Sequence, residues 1–548
     1  MERTEINKLT ATVSASPRRA IHTARIAYVI SGQVSIDDVL TQLQQNTRLV
    51  VEPARVVRRT FYDTFDWRLY ADNAVLEERQ DGKQRTLLWH NLEAGDRGTQ
   101  IASPAPPRFV KDLPTGQFRQ RLERVVEMRE LMPVLQISTK TRALRMLDKI
   151  DKTVVRLVVE EGTARRHRRG KAHPLADRIS VLPLRGYQKP FAKIISKLEK
   201  MGLTPATEDP VLTALALVGH TPGDYSSKLN LQLEPDLRSD QAIRIVLQRL
   251  LDIMLANEAG TLAGTDTEFL HDFRVAVRRT RSALSQIKAV LPLRVLNRYQ
   301  NEFAWLGEIT SPLRDLDVYL LKFDDYRDSL PESVRADIEP LRDFLLRQRQ
   351  TEHKALTKAL SSARYRRLIK RWREFLKQPV NERSTLKNAS RPIIDLARER
   401  IWRTYRRILK EGEAIDTDTA AEALHDLRKS CKKLRYLMEF FQSLFPPEKI
   451  KKLIKTLKSL QENLGDFQDY EVQVMTLKQF SQRMVAEAAA PAATLLTMGM
   501  LIEGLERRQQ QARDEFADRF QQFALPKNRA RFQTLFAAPK ATKRVGDA

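Results

Sequence analysis

LHDFRVAVRRTRSAL, residues 270–284, comes back as LHDLRKSCKKLRYLM, residues 424–438, and the two copies stand 154 positions apart. The same offset pairs Pro292 with Pro446, Leu306 with Leu460, Glu308 with Glu462, Asp315 with Asp469 and Val318 with Val472. A register kept over that distance marks an internal duplication. Within the first copy, His271, Arg274, Arg278 and Arg281 are spaced 3, 4 and 3. On a helix that keeps them within an arc of about 80° and a length of about 15 Å. His425, Arg428, Lys432 and Arg435 repeat the spacing, and Arg279 with Lys433 adds a further matched cation. An apolar seam runs about 100° around, through Leu270, Phe273, Val277, Leu284 and Ile287 in one copy and Leu424, Leu427, Cys431, Leu434, Met438 and Phe441 in the other. Each basic stripe is therefore expected at the edge of a helix-packing groove, where positive potential is focused. Four cations on one arc repel by a few tenths of a kcal/mol per neighbouring pair, and a long anionic ligand would relieve that cost. Intramolecular pairing with Glu308, Asp315, Asp317, Glu462, Asp469 and Glu471 is the bland alternative.

A third stripe, Arg400, Arg403, Arg407 and Lys410, repeats the 3, 4, 3 spacing before the second copy. At the corresponding first-copy positions only Arg249 is basic, so the two halves are expected to bind unequally. The whole chain has the same bias: 95 Lys and Arg against 69 Asp and Glu give a formal charge of +26 over 548 residues. Nucleic acid, an anionic membrane and inorganic polyphosphate all satisfy that balance.

The length implies two or three domains. One cysteine, Cys431, cannot form an internal disulfide and falls on the apolar seam, as a core thiol in a reducing compartment would. No apolar run reaches the ~20 residues of a membrane span, and the first residues carry no secretory pattern, so a cytoplasmic protein is expected.

Residues 1–23 read as a tail. ARIAYVISG from Ala24 reads as a strand leading to a helix near 35–45, and short β-branched and aromatic runs as far as ISVLPL at Ile179 read as an antiparallel sheet. Residues 93–116 read as a mobile Pro/Gly loop, 164–173 as a basic solvated turn, and 190–201 as a helix. Residues 216–237 read as a linker. Helical period then dominates, in halves of about 238–389 and 390–523, with 524–548 as a C-terminal tail. Helices are expected at 294–309 and 312–327, and again at 447–463 and 466–483, among others. Asp266 or Thr267 is the expected cap of the first histidine helix and Thr419 that of the second.

The paired LHDxR motifs with trailing cations resemble the CHAD family, the conserved histidine α-helical domain, over about residues 238–523. That resemblance implies an all-α domain of two pseudo-symmetric four-helix bundles. It also implies a central basic surface that binds inorganic polyphosphate, and an association with polyphosphate or storage-polymer granules. The motif positions carried over are His271, Arg274, Arg278, Arg281, His425, Arg428, Lys432 and Arg435. With Arg279, Lys433, Arg400, Arg403, Arg407 and Lys410 they make up the expected polyphosphate-binding set.

FYDTFDWRLYADNAVLEER, residues 61–79, and AKIISKLEKMGL, residues 192–203, resemble a CYTH domain, making residues 24–215 a diverged α+β member of that family. Family enzymes hold a divalent metal on an ExExK strand and a second acidic strand. Here Ala24, Ile26 and Tyr28 take the first set of positions, and Ser180 and Leu182 the second. His90 or Asn91 replaces a lysine, and Glu77 replaces an arginine whose partner Arg79 remains. Glu160 and Glu161 point to opposite faces of their strand, and Glu2, Glu5 and Lys8 have the wrong spacing. The expectation is a non-catalytic domain with no metal and no cofactor. Phosphate loops, dinucleotide fingerprints, zinc spacings and serine elbows are missing throughout. A metal-dependent triphosphatase in the first half and a nucleic-acid-binding protein stand as the alternatives.

Overall fold

A computed structural model describes residues 26–537 apart from 31–33, 46, 82–83, 93–98, 104, 168, 208, 417 and 489. The expected N-terminal tail lies outside the described residues. The chain divides into two compact units between Tyr225 and Ser226.

The first unit is an antiparallel sheet with helices on both faces. Its elements are β1 (Ile26–Ile30), α1 (Ile36–Gln44), β2 (Arg48–Val51), β3 (Arg55–Asp63), α2 (Arg68–Ala71), β4 (Ala74–Asp81), β5 (Gln84–Asn91), β6 (Thr99–Ala102), α3 (Gln117–Val126), β7 (Met132–Leu147), β8 (Thr153–Arg165), β9 (His173–Pro174), β10 (Asp177–Leu182), α4 (Gln188–Lys200), β11 (Thr204–Pro205) and α5 (Pro210–Leu217). The strand order is β11-β1-β10-β8-β7-β3-β4-β5-β6, with β2 on β7 and β9 on β8. Two-residue alternation sorts the side chains. Tyr28, Ile30, Leu157, Val159, Ile179 and Val181 pack with α1 and α4 on one face. Phe61, Val75, Leu135 and Ile137 pack with Ala214, Leu215 and Val218 of α5 and its C-terminal end on the other. A third cluster joins Tyr62, Leu76 and Trp89 to α3.

One detail corrects the sequence reading and a second adds to it. The expected mobile loop contains strand β6, paired with β5 from Thr86↔Ala102 to Trp89↔Thr99. After a 3-10 turn at Val110–Asp112 comes helix α3, with Phe118, Leu122 and Val126 buried. The YDT segment has a folding role: the buried Asp63 carboxylate accepts from the amides of Thr64 at 2.7 Å, Leu69 at 3.0 Å and Tyr70 at 3.0 Å. It thereby fixes the turn into α2. Burial, against those three hydrogen bonds, raises its pKa to about 6.

The second unit is helical: α6 (Ser239–Ala263), α7 (Thr267–Gln286), α8 (Leu293–Leu321), α9 (Phe323–Asp328), α10 (Glu339–Leu360), α11 (Ala363–Lys377), α12 (Ile393–Glu413), α13 (Ala421–Phe440), α14 (Pro447–Ala486), α15 (Ala492–Asp514), α16 (Phe516–Phe523) and α17 (Pro526–Phe536). The starts of α6, α7 and α8 recur in α12, α13 and α14 at the 154-residue offset. One large core runs through both copies, from Leu229 to Phe536. A second, smaller core joins the C-terminal parts of α8 and α14 to α10 and α15.

Several boundaries differ from expectation. Helix α8 continues through Pro312 and α14 through Gly465, so each pair of expected helices is one long helix. Asp266 caps α7, accepting from Glu268 N at 2.9 Å and Phe269 N at 3.2 Å. Thr419 does not cap α13; its hydroxyl is tied to Asp416 at 2.6 Å. Leu229 and Leu233, in the expected linker, are buried in the large core. The expected C-terminal tail includes α17, whose Phe532 and Phe536 are fully buried.

Candidate functional site

Helices α7 and α13 bury their apolar seams and bring their basic stripes together. His271, Arg274 and Arg278 of α7 share a cleft of about 660 Å³ with Arg428 of α13. Arg314, Asp315, Val318 and Tyr319 of α8 and Gln468, Asp469 and Val472 of α14 form much of the remaining wall.

The stripe residues are held differently in the two copies. Arg274 donates from Nη1 to Gly307 O at 3.2 Å, Thr310 Oγ1 at 2.9 Å and Ser311 Oγ at 3.0 Å, just before Pro312. Its pKa is pushed down to about 10, first by burial and then by Arg278, Arg314 and Arg281, with Asp315 opposing. Its counterpart Arg428 pairs directly with Asp469 at 2.7 Å. Lys432 is half-buried. Burial, then the charges of Arg428, Arg278 and Arg435, push its pKa down to about 8, against Asp469. Arg278 belongs to the other copy, so this lysine experiences cations from both stripes at once.

His425 Nδ1 is hydrogen-bonded to Gln468 Oε1, and Gln468 Nε2 donates to Glu471 Oε2 at 2.8 Å. This chain fixes the imidazole orientation. His271 lines the cleft wall. Arg278 and Arg281 are exposed, and Lys433 is half-buried. The Arg281 guanidinium lies over Gly307, where a Cβ would stand 2.7 Å from Nη1.

Arg279 and Arg435 are committed to the fold. Arg279 Nη2 binds Glu439 Oε2 at 2.9 Å and Arg435 Nε binds Glu439 Oε1 at 3.0 Å. One carboxylate thus clips α7 to α13. Arg279 also donates to Ser227 O at 3.0 Å, and Arg435 to Gln461 Oε1 at 3.2 Å. Sequence reasoning missed Glu439, although its i, i+4 relation to Arg435 was visible, and missed Arg314 on the cleft wall. Of the acids weighed as partners, Asp317 pairs with Arg349 at 2.6 Å, away from either stripe. Cys431 is fully buried, and burial raises its thiol pKa.

The third stripe does not join this cleft. Arg403, Arg407 and Lys410 line a separate groove along the outward face of α12, and Arg400 lies off that groove, half-buried.

In the sheet unit, Ile26 and Tyr28 turn toward the core with α1 and α4, and Tyr28 donates to Glu199 at 3.1 Å. Ile26 and Tyr28, two of the positions aligned with the carboxylate strand, thus turn away from the cleft beside α5. Ala27 is the β1 residue facing the cleft beside α5, with Arg59, Thr139, Glu160, Arg178 and Ser180. Glu161 faces away and pairs with Arg142. Glu77 is buried; burial opposes its charge, but hydrogen bonds from His90 and Arg79 and the charges of Arg79 and Arg59 bring its pKa down to about 2. The same contact with Glu77 raises His90. Among the described residues no group of three or more His, Cys, Asp or Glu could hold a metal ion. Ala27 and Ser180 offer no carboxylates, so the residues present do not fit the metal of the CYTH enzymes.

Residues 245–478 match the CHAD domain family, and a CHAD domain occupies that stretch. The chain is 27% identical to protein Rv2226 of Mycobacterium tuberculosis over 316 residues, 57% of each chain, and so spans little more than half of that relative. Among solved structures, the CHAD domain from Ricinus communis is similar at 25% identity and a TM-score of 0.43, covering 58% of this chain and 98% of that one. PptA from Streptomyces chartreusis is similar at 16% identity and a TM-score of 0.41, covering 52% and 100%. No helix among the described residues is long and apolar enough to cross a membrane.

Proposed function

We propose that the CHAD domain at residues 245–478 binds inorganic polyphosphate in the cleft between α7 and α13 and does not cleave it. The observation that carries this reading is the convergence of two stripes: His271, Arg274 and Arg278 of one copy line the same cleft as Arg428 of the other. A phosphate chain would relieve the burial cost now borne by Arg274 and Lys432, and guanidinium forks suit its oxygens. The aromatics of the two motifs, Phe273 and Tyr436, and those of the cleft wall, Tyr319 and Phe480, are all buried and give a base nothing to stack on. This favours bare phosphate over nucleic acid at this cleft.

On this reading the two helical copies act as a pseudo-symmetric pair of bundles around one anion path, and the protein resides in the cytoplasm on polyphosphate granules. The sheet unit is a diverged CYTH-like domain. Its cleft would not support triphosphate hydrolysis, so tripolyphosphate with Mg²⁺ or Mn²⁺ should release no phosphate. The direct test is retention of the full chain on immobilised long-chain polyphosphate. Arg278→Glu with Arg428→Glu should abolish it, and undiminished retention would remove the proposal.

A further inference from the structure

We propose that the outward face of α12 is a second, independent anion site that takes single-stranded nucleic acid. Along about 22 Å of helix, from Asp395 to Lys410, this face carries Arg398, Arg403, Arg406, Arg407 and Lys410. None of these five makes a hydrogen bond or ion pair among the described residues, and all but Arg398 are exposed. Three carboxylates share the groove: Asp395, Glu399 and Glu411. Glu399 is already engaged by Arg391 at 2.8 Å.

The feature that separates this face from the histidine cleft is Trp402. Its half-buried indole forms part of the groove wall and stacks on Tyr405, with ring centroids 5.6 Å apart and planes at 29°. Tyr405 is fully buried and stacks in turn on Phe532 at 3.8 Å and 10°. The indole is the outermost ring of a column rooted in the core, so it is held in place before a ligand arrives. Cations that follow a backbone, beside a fixed ring on which a base can stack, are the two parts of a sequence-tolerant single-strand site. The interleaved acids favour a chain whose phosphates are separated by sugars over one with a charge on every linked phosphorus.

The duplicated architecture does not require this face. At the 154-residue offset on α6, Trp402 becomes Gln248, Arg406 becomes Asp252, Arg407 becomes Ile253 and Lys410 becomes Ala256. Arg249, which matches Arg403, is spent on the carbonyls of Ser226 at 2.9 Å and Lys228 at 3.4 Å. The second copy therefore carries, beside an indole braced on the core, four exposed cations for which its packing has no use.

Fluorescence anisotropy of the full chain with labelled oligo(U) and oligo(dT) of about 12 nucleotides tests the assignment. Both should bind. Trp402→Ala should weaken them about tenfold, Trp402→Phe should largely restore them, and Arg403→Glu with Arg407→Glu, at exposed positions, should abolish them. Arg278→Glu with Arg428→Glu should leave oligonucleotide binding intact while removing polyphosphate binding, so the two sites can fail separately. Absence of oligonucleotide binding would overturn the proposal, as would binding indifferent to the α12 changes. Loss of polyphosphate retention in the α12 variants with no oligonucleotide bound would instead make this face part of the phosphate-chain path.

Discussion

Lys432 is the residue whose chemistry the fold alters most usefully. In the free protein its charge fades as pH rises through about 8, because burial and the neighbouring guanidiniums of Arg428, Arg278 and Arg435 disfavour the ammonium. A phosphate chain favours the charged form, so binding above that pH takes up a proton. Polyphosphate affinity should consequently fall between about pH 7 and 9, with a proton uptake visible as a buffer-dependent heat in calorimetry. Lys432→Arg, charged throughout, should flatten the profile; an unaltered profile would assign the pH dependence elsewhere. Glu439 makes a different kind of contribution. Glu439→Ala leaves two half-buried arginines from different helices without their carboxylate, and should cost about 2 kcal/mol in chemical denaturation. An unchanged midpoint would show that Arg279 and Arg435 are satisfied without it.

At the scale of elements, the local spacing of apolar and basic residues was enough to place α7 and most of the strands. What it could not supply was the outcome of competition between local and tertiary preferences. Pro312 and Gly465 are helix-breaking residues, yet α8 and α14 run through them because each helix is packed along two cores in succession. Strand β6 was hidden by its Pro/Gly neighbours, and the face that β1 turns to the cleft could not be read from five apolar positions that fit either one. Close helix approach is equally invisible in sequence. A Cβ at Gly412 would stand 2.0 Å from the ring of Phe520. Gly412→Ala gains about 1 kcal/mol of helix propensity but must displace a buried ring at a cost of about 1–3 kcal/mol. Overpacking should win, lowering the urea midpoint; a raised midpoint would mean that α12 and α16 can part without penalty.

Over the whole molecule, the stripes were legible because their geometry belongs to single helices, whereas their convergence belongs to the fold. Nothing in the spacing of Arg278 and Lys432 on separate helices told that they influence one another. Nor did the 3, 4, 3 spacing of Arg400 to Lys410 reveal that Arg403, Arg407 and Lys410 open onto another surface. If charge neutralisation drives binding at the cleft, polyphosphate affinity should fall steeply with salt, as each phosphate contact releases about one counterion by analogy with nucleic acids. A flat salt dependence would point to recognition by shape. The most direct test of the polyphosphate reading is a binding titration of the full chain with long-chain polyphosphate, comparing the native sequence with the combined Arg274→Glu, Arg278→Glu, Arg428→Glu and Lys432→Glu variant. Circular dichroism would verify that the helices persist. The native chain should bind and the folded variant should not; a folded variant that binds with native affinity would contradict a polyphosphate site between α7 and α13.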